Sequence, residues 1–595
     1  MTAWTIPSWT PPWPSDGQPS FLRISASSLS GDARWTCAEQ VAKKARPQVS
    51  PQRDRSERIT YPPYADVPIG MVHTALYSIL SRGVDVERGM AIAQSDTKGE
   101  IAEPTLAAVR AGITGYLDAL EQLRSAGELP AGTIVREFTA LDNVPSSVPP
   151  RVEWFGWGLM HTSRDSEIRE YHLLTWSRAG ERTRSAATIG VYARIAADAV
   201  CVEDGTAWWE PRVETAAQPR PGREVRIREI GLLDGSTHLL FQGSLDDARA
   251  LFDASVPSAL GVLAGGDYQP TTRCSSCSLR TACRGIPRMP GVLGVIGEPT
   301  WPRAFSPGDL SHGRHCTWQV HLSRTLGLPS VRGEASDAMR RGSDVHNYLE
   351  LAHSRREECT AEDLPGQDLP MIAADLGWTF DRYLALRPYL LAHLQVCALH
   401  RYDSDQAFPE TSLGAWDTDA DVVISTRADL VIADGDIAVI RETKTVHDTD
   451  DSLSDEQLLY RYPQVALAVI LMASGLDPLT GEWGSTAQPG RVELEFLAPD
   501  GATVRTFDAN DPETVLLARM HVAEATDRLL YTEPTPNPGR WCDFCPVSTW
   551  CDAPREETTW EEDTAPADTG TPGSRTALLA LAETAASADD DDLPF

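Results

Sequence analysis

Residues 427–445 read RADLVIADGDIAVIRETKT. Two short apolar runs, DLVIA and IAVI, flank the turn Asp434-Gly435-Asp436, a pattern that predicts a β-hairpin. Asp429 opens the first strand, and Glu442 and Lys444 close the second. Strand side chains alternate faces, so Glu442 and Lys444 share one face while Thr443 points away, and the hairpin can bring Asp429 to that same face. Two carboxylates and an ammonium then converge. Clustered carboxylates repel unless a cation sits between them, and hard oxygen ligands suit Mg²⁺ or Mn²⁺. A lysine beside such an ion can orient a water or help deprotonate it, which is the equipment of metal-assisted phosphodiester hydrolysis. Taken alone, the same residues also fit a surface hairpin carrying a Glu–Lys pair.

Outward from the hairpin, composition sets bounds. The chain has 595 residues, room for two to four domains, and no apolar run long enough to span a membrane. Its start, MTAWTIPSWTPPWPSDG, lacks the basic and apolar regions of a secretory signal, so a soluble, cytoplasmic protein is expected. The net charge of −32 argues against a generally basic nucleic-acid coat, though not against one local basic groove. No G-x-x-x-x-G-K-[ST] motif of a P-loop motor occurs. Eleven cysteines without a signal peptide point to metal or cluster ligation rather than a disulfide framework.

The order of features recurs along the chain. Ser25-Ala-Ser-Ser-Leu29 precedes Cys37, His73 lies in the helical pattern VHTALYSIL, Glu137 follows, and Cys274, Cys277 and Cys283 close this half. Strand-like runs EWFGWGLM, EYHLLTW, REVRIREI and THLLF and helix-like ATIGVYARIAADAV lie between. Then Ser306–Leu310 precedes Cys316, His346 opens the helical run VHNYLELAH, Glu410 and the hairpin follow, and Cys542, Cys545 and Cys551 close the second half. His73 to Glu137 and His346 to Glu410 are both 64 residues, and both cysteine trios read C-x2-C-x5-C. An internal duplication into two domains is the reading, with 1–290 and 301–554 as the copies and a Pro/Gly-containing linker over 291–300. Residues 555–595 carry a net −9 with few large apolar groups and read as a disordered acidic tail.

Three local thiolates and one distant one can close a four-ligand site in each half, Cys37 with Cys274, Cys277 and Cys283, and Cys316 with Cys542, Cys545 and Cys551. Spacing leaves zinc and a [4Fe–4S] cluster both open. Cys201, Cys359 and Cys397 stand in apolar contexts and read as ordinary core residues.

These residues together resemble a known group. Ser306-Pro-x-x-Leu310 with Cys316, Gly342-x-x-x-His346, Glu410, Asp429, Glu442-x-Lys444, Gln464 and Cys542-x2-Cys545-Pro-x4-Cys551 look like the RecB-type branch of the PD-(D/E)XK nucleases. Closest in layout are its iron–sulfur members, the AddB nuclease domain and the CRISPR adaptation nuclease. The resemblance covers Trp301 to Pro554. It implies an α/β fold, a mixed β-sheet flanked by helices, and a Mg²⁺- or Mn²⁺-dependent DNase stapled by a [4Fe–4S] cluster rather than zinc. Under it His346, Asp429 and Glu442 would be metal ligands and Lys444 would position the attacking water. Glu410 would support the metal site or its helix, and Gln464 would contact DNA or brace the site. The family's Gln-x3-Tyr departs here, since residue 468 is alanine, leaving Tyr460 and Tyr462 as substitutes. In the first half, Gly156-Trp-Gly-Leu159 and Thr175-Trp-Ser-Arg178 stand where the acidic pair and lysine should be, so a catalytically dead copy with a structural His73 is expected.

The expected function is a DNA nuclease in repair, recombination or defence against foreign DNA, working with a partner helicase. The alternatives are a non-catalytic DNA-binding or scaffold subunit of a helicase complex, disfavoured by the intact Asp429, Glu442 and Lys444, and a zinc-stapled RNA-processing factor, for which no RNA-binding motif appears. The last residues, Asp589, Asp590, Asp591, Asp592, Leu593, Pro594 and Phe595, resemble the tip of bacterial single-stranded-DNA-binding proteins. That resemblance implies docking on repair proteins that read such tips, the Phe595 ring filling an apolar pocket while the aspartates meet a basic ridge.

Overall fold

The computed structural model describes residues 6–13, 19–29, 36–49, 67–97, 100–129, 134–136, 139–143, 151–163, 165, 167–203, 210–214, 222–295, 303–331, 336–447, 452–484 and 489–553. Glu137 and the tail with its Asp589–Phe595 tip lie outside them. Among the described residues no helix is long and apolar enough to cross a membrane.

The first half opens with β1 (Leu22–Ser25), α1 (Ala38–Lys44), α2 (Val67–Arg82), α3 (Val86–Ser95) and α4 (Glu103–Ser125). Strands β2 (Ile134–Arg136), β3 (Ala140–Asn143), β4 (Arg151–Phe155), β5 (Leu159–Thr162) and β6 (Ile168–Thr175) follow. After α5 (Ala186–Asp198) and the short pair β7 (Val202–Glu203) and β8 (Val213–Glu214) come β9 (Glu224–Gly231), β10 (Thr237–Ser244) and α6 (Leu245–Ala259). One sheet runs β10-β9-β6-β5-β2 and another β1-β4-β3, and β6 pairs with β9 in parallel. Apolar residues alternate along these strands and face two helical layers. Ile227 and Leu173 pack with α5 and α6, while Leu159 and Ile230 pack with α2 and α4.

The second half also places a mixed sheet between helices. It comprises β11 (Arg303–Phe305), α7 (Pro307–His315), α8 (Thr317–Val320), α9 (Asp337–Ser354), α10 (Met371–Asp375) and α11 (Phe380–Leu394). Strands β12 (Asp403–Asp417), β13 (Val422–Asp434) and β14 (Ile437–Thr445), helices α12 (Asp455–Arg461) and α13 (Pro463–Ala473), strands β15 (Arg491–Ala498) and β16 (Gly501–Asp508), and α14 (Pro512–Tyr531) complete it. The sheet order is β11-β13-β14-β15-β16 with β12 on β13, and β14 pairs with β15 in parallel. The expected hairpin is β13–β14, turning at Gly435 with φ +61°, a conformation glycine adopts without steric cost. Val431 and Ile440 face the layer of α13 and α14; Leu430, Ile432 and Val439 face α9 and α11. This is the mixed sheet between helices that the resemblance implied, and each half has one.

The stretch read as a linker is described through Val295, and that part is not a tether. Met289, Val292, Leu293 and Val295 are buried in the second half's core. Asp417 accepts from the backbone N–H groups of Gly291 (3.1 Å) and Leu293 (2.9 Å). Arg280 pairs with Asp421 at 3.0 Å and lies over the Trp416 ring at 4.4 Å. A second contact buries Ala108 of α4 with Leu322, Leu326, Val547 and Trp550. The proline and glycines that suggested a loop here do form turns, but the apolar residues between them find a core to enter.

Candidate active site

The site is built from the middle of β12, β13 and α9 and the last residues of β14. In the β12–β13 ladder Pro409 pairs with Leu430 and Thr411 with Ala428, which sets Glu410 opposite Asp429. Glu410 has φ +55°, a left-handed conformation that costs a residue with a side chain about 1–3 kcal/mol. Arg427 holds it there, its Nε donating to the Glu410 carboxylate (2.8 Å) and to the Glu410 carbonyl oxygen (3.2 Å). Helix α9, started by Ser336 capping the N–H of Met339, packs over β12 and β14 and delivers His346. His346 Nε2 touches the Glu410 carboxylate, and its Nδ1 lies 3.5 Å from Asp429. His346, Glu410 and Asp429 each bring a ligand atom within 4.8 Å of the others.

Glu442 and Lys444 arrive from β14 on the face of Ile440. Lys444 Nζ is 3.3 Å from Glu442, 3.8 Å from Asp429 and 3.0 Å from the Thr443 carbonyl oxygen. Glu442 stands beside the triad rather than within that tight set. Asp429 is locked from the other side by the Thr443 N–H at 2.7 Å. The electrostatics show how strongly negative this place is. Burial, then the neighbouring Asp429 charge, push the Glu442 carboxyl up to about 8. The hydrogen bond to Glu410 raises His346 to about 8 against the effect of burial. Burial also disfavours the Lys444 ammonium, yet Asp429 and Glu442 outweigh it and hold its pKa above the ordinary value. Three carboxylates and an imidazole crowded together in this way fit a hard divalent cation.

Gln464 is half-buried in the first turn of α13. Ala468 is buried in the core, so no tyrosine at that position could reach the site without repacking it. Of the two tyrosines considered as substitutes, Tyr462 packs on Phe496 and interacts electrostatically with Lys444. Tyr460 instead lies under Arg314 and against His521, toward α7 and α14.

In the first half, β5 is entered through Gly156-Trp157-Gly158 and β6 ends in Leu173-Leu174-Thr175. His73 bonds the Gly158 carbonyl oxygen at 2.9 Å. Among the described residues, which leave out Glu137, no acidic side chain pairs with it as Asp429 pairs with His346.

Both expected cysteine sets gather. Cys316, Cys542, Cys545 and Cys551 line one cavity of about 40 Å³ with Trp318 and Trp541. Cys37, Cys274, Cys277 and Cys283 interact electrostatically, and burial pushes the Cys274 thiol up to about 11 and that of Cys283 to about 12. Such thiols ionise only when a cation compensates. Each set ties a helix start near the beginning of its half to the end of that half, Cys37 before α1 and Cys316 before α8.

Several residues of consequence carried no functional reading from the sequence. Arg427 and Thr443 hold Glu410 and Asp429 from positions that look like ordinary strand residues. Cys359 and Cys397, expected to be plain core thiols, are buried but not plain: they meet His353 and His393, with all four ligand atoms within 4.8 Å of one another. The available signal was H-x5-C after one helix and H-x3-C after another.

Residues 304–552 match the family model of the PD-(D/E)XK nuclease superfamily. Comparison with curated proteins gives no match. Among solved structures, the crystal structure of SSO0001 is similar at 16% identity, covering 44% of this chain and 89% of that chain with a TM-score of 0.21.

Proposed function

We infer, for a chain whose residues 304–552 carry a PD-(D/E)XK nuclease-superfamily domain, that the second half is a Mg²⁺- or Mn²⁺-dependent DNase of the RecB/AddB type. The superfamily implies phosphodiester hydrolysis. The observation that carries the finer reading is the convergence of His346, Glu410 and Asp429 with Glu442 and Lys444 alongside. His346, Glu410, Asp429 and Glu442 would hold the divalent ion, which when bound supplies Lewis-acid charge and a more acidic water. Lys444 stays an ammonium among these carboxylates, so it orients a water and offsets charge on the scissile phosphate rather than acting as a base. The Thr443 N–H and the Arg427–Glu410 contacts hold the carboxylates in place before substrate arrives.

The first half, lacking an acidic pair at its strand ends, is the non-catalytic copy in this reading. Each four-cysteine set holds a [4Fe–4S] cluster. Among the described residues neither set brings three of its sulfurs all within 4.8 Å of one another. A single tetrahedral zinc would hold sulfurs about 3.8 Å apart, whereas a cluster puts its own body between them. Work in DNA repair, recombination or defence with a helicase, and docking through Asp589–Phe595, complete the reading; the docking element rests on the sequence alone.

The deciding experiment is cleavage of 5′- and 3′-labelled single- and double-stranded DNA with Mg²⁺ or Mn²⁺, comparing the parent with Asp429→Ala. Metal-dependent cleavage by the parent and none by the variant is expected. Equal cleavage by both would place the chemistry elsewhere.

A further inference from the structure

His353 and His393 are each the penultimate residue of a helix, α9 and α11, and each helix is followed by a cysteine, Cys359 and Cys397. The side chains meet beneath the sheet face opposite Glu442 and Lys444. Exposure of the four is 4% for His353, 6% for Cys359, 1% for His393 and 0% for Cys397. His353 Nε2 lies 3.1 Å from His393 Nε2 and 3.9 Å from Cys397 Sγ. A tetrahedral zinc ion with ordinary bond lengths would hold two such nitrogens about 3.3–3.4 Å apart and a nitrogen and sulfur about 3.6 Å apart. The apposition is therefore close to what one ion needs, and no larger group would fit.

The surroundings are those of a built site. His393 Nδ1 is 2.6 Å from Glu495 Oε1, so its ring proton is donated to the carboxylate and its Nε2 lone pair points at the other three groups. Glu495 is itself held by Arg441 (3.3 Å) and by the Thr443 hydroxyl (3.3 Å). Two helix C-termini, each with a partial negative charge, converge here and favour a cation. Oxygen-seeking ions find no ligands among two imidazoles and two thiols, whereas zinc accepts this donor set.

We propose that His353, Cys359, His393 and Cys397 bind one structural Zn²⁺ ion, separate from both the nuclease site and the four-cysteine sets. All four positions come from protein, so the site is closed and not hydrolytic. Binding displaces the two thiol protons to solvent. The ion clamps the ends of α9 and α11 to the sheet. His346 stands seven residues before His353, on the same face of α9, so the clamp sets the position of that imidazole. A second path runs through the sheet: His393 to Glu495, Glu495 to the Thr443 hydroxyl, and the Thr443 N–H to Asp429.

The test is elemental analysis of the full chain purified from zinc-supplemented culture. Cys359→Ser/Cys397→Ser should lower bound zinc by one ion per chain and leave iron unchanged, while Cys316→Ser and Cys542→Ser should leave that zinc in place. Cobalt(II) replacing the zinc should show the visible bands of a tetrahedral site and a near-ultraviolet thiolate charge-transfer band. Cys359→His, which keeps four ligands, should retain the metal and lose about half of that thiolate band. These two measurements stand even if the double variant does not fold. A parent chain free of zinc, a double variant with undiminished zinc, a loss of iron instead, or a Cys359–Cys397 disulfide in the isolated protein would each overturn the proposal.

Discussion

At the residue scale the candidate site is a problem in charge. Glu442 and His346 both have pKa values raised to about 8, the first by burial and Asp429, the second by Glu410. Protons therefore compete with a cation up to about that pH, and Mn²⁺ affinity should rise with pH and flatten above it. Isothermal titration on both sides of pH 8 reads this directly. The same shifts bear on stability. Each group's folded pKa is raised above its unfolded value, so its stabilising contribution is complete below the unfolded pKa and is lost as pH climbs through about 8. The melting temperature of metal-free protein should fall across that window, and Asp429→Asn should flatten the fall by removing a charge that raises both groups. For catalysis, Asp429→Ala and Lys444→Ala should each lower the cleavage rate by about a thousandfold or more with an unchanged circular dichroism spectrum. His73→Ala, in the first half, should leave the rate unchanged.

At the scale of elements, β14 serves both of its faces. Ile440, Glu442 and Lys444 point toward α13, and Arg441 and Thr443 point toward α11. Arg441 is almost fully buried, and it bonds Glu493, Glu495 and the Val396 carbonyl oxygen. Removing it strands two buried carboxylates, so Arg441→Ala should cost about 3–5 kcal/mol in denaturant titration. The cysteine sets act on elements too. Each gathers a helix start near the beginning of its half, Cys37 before α1 and Cys316 before α8, with the final turns of that half. Protein purified without air should be brown and carry about eight irons per chain, and Cys542→Ser should lose about four of them. A colourless protein with stoichiometric zinc at both sets would reverse that assignment.

At the scale of the whole molecule, the larger sheet of each half is a mixed sheet, and a segment that leaves the first half packs into the core of the second. Met289–Val295 leaves the first half and enters the second half's core, and Arg280 reaches Asp421 and Trp416 across the joint. Arg280→Ala removes a largely buried ion pair and a cation–π contact. It should destabilise the joint by about 1–3 kcal/mol and make the 285–300 region more sensitive to limited proteolysis. The first half is then a fixed neighbour of the second rather than a tethered passenger.

Periodicity and spacing alone determined the β13–β14 hairpin, the face shared by Glu442 and Lys444, the helix carrying His346 and the two cysteine trios. Each is set by neighbours in the chain, through the two-residue repeat of a strand, the turn of a helix or a short ligand spacing. What only the tertiary structure decided lies between distant segments. Glu410 faces Asp429 because a ladder register and a left-handed residue held by Arg427 put it there. Cys359 and Cys397 looked like core thiols because the apolar residues around them are core; their partners, His353 and His393, come from two helix ends brought together by packing. Residues 291–295 read as linker because their turns are local, while most of the core that takes Val292, Leu293 and Val295 is formed by residues more than a hundred positions later. Local sequence carries no record of such meetings, since the free energy that drives them is burial against surfaces that exist only once the sheet and its helices have assembled.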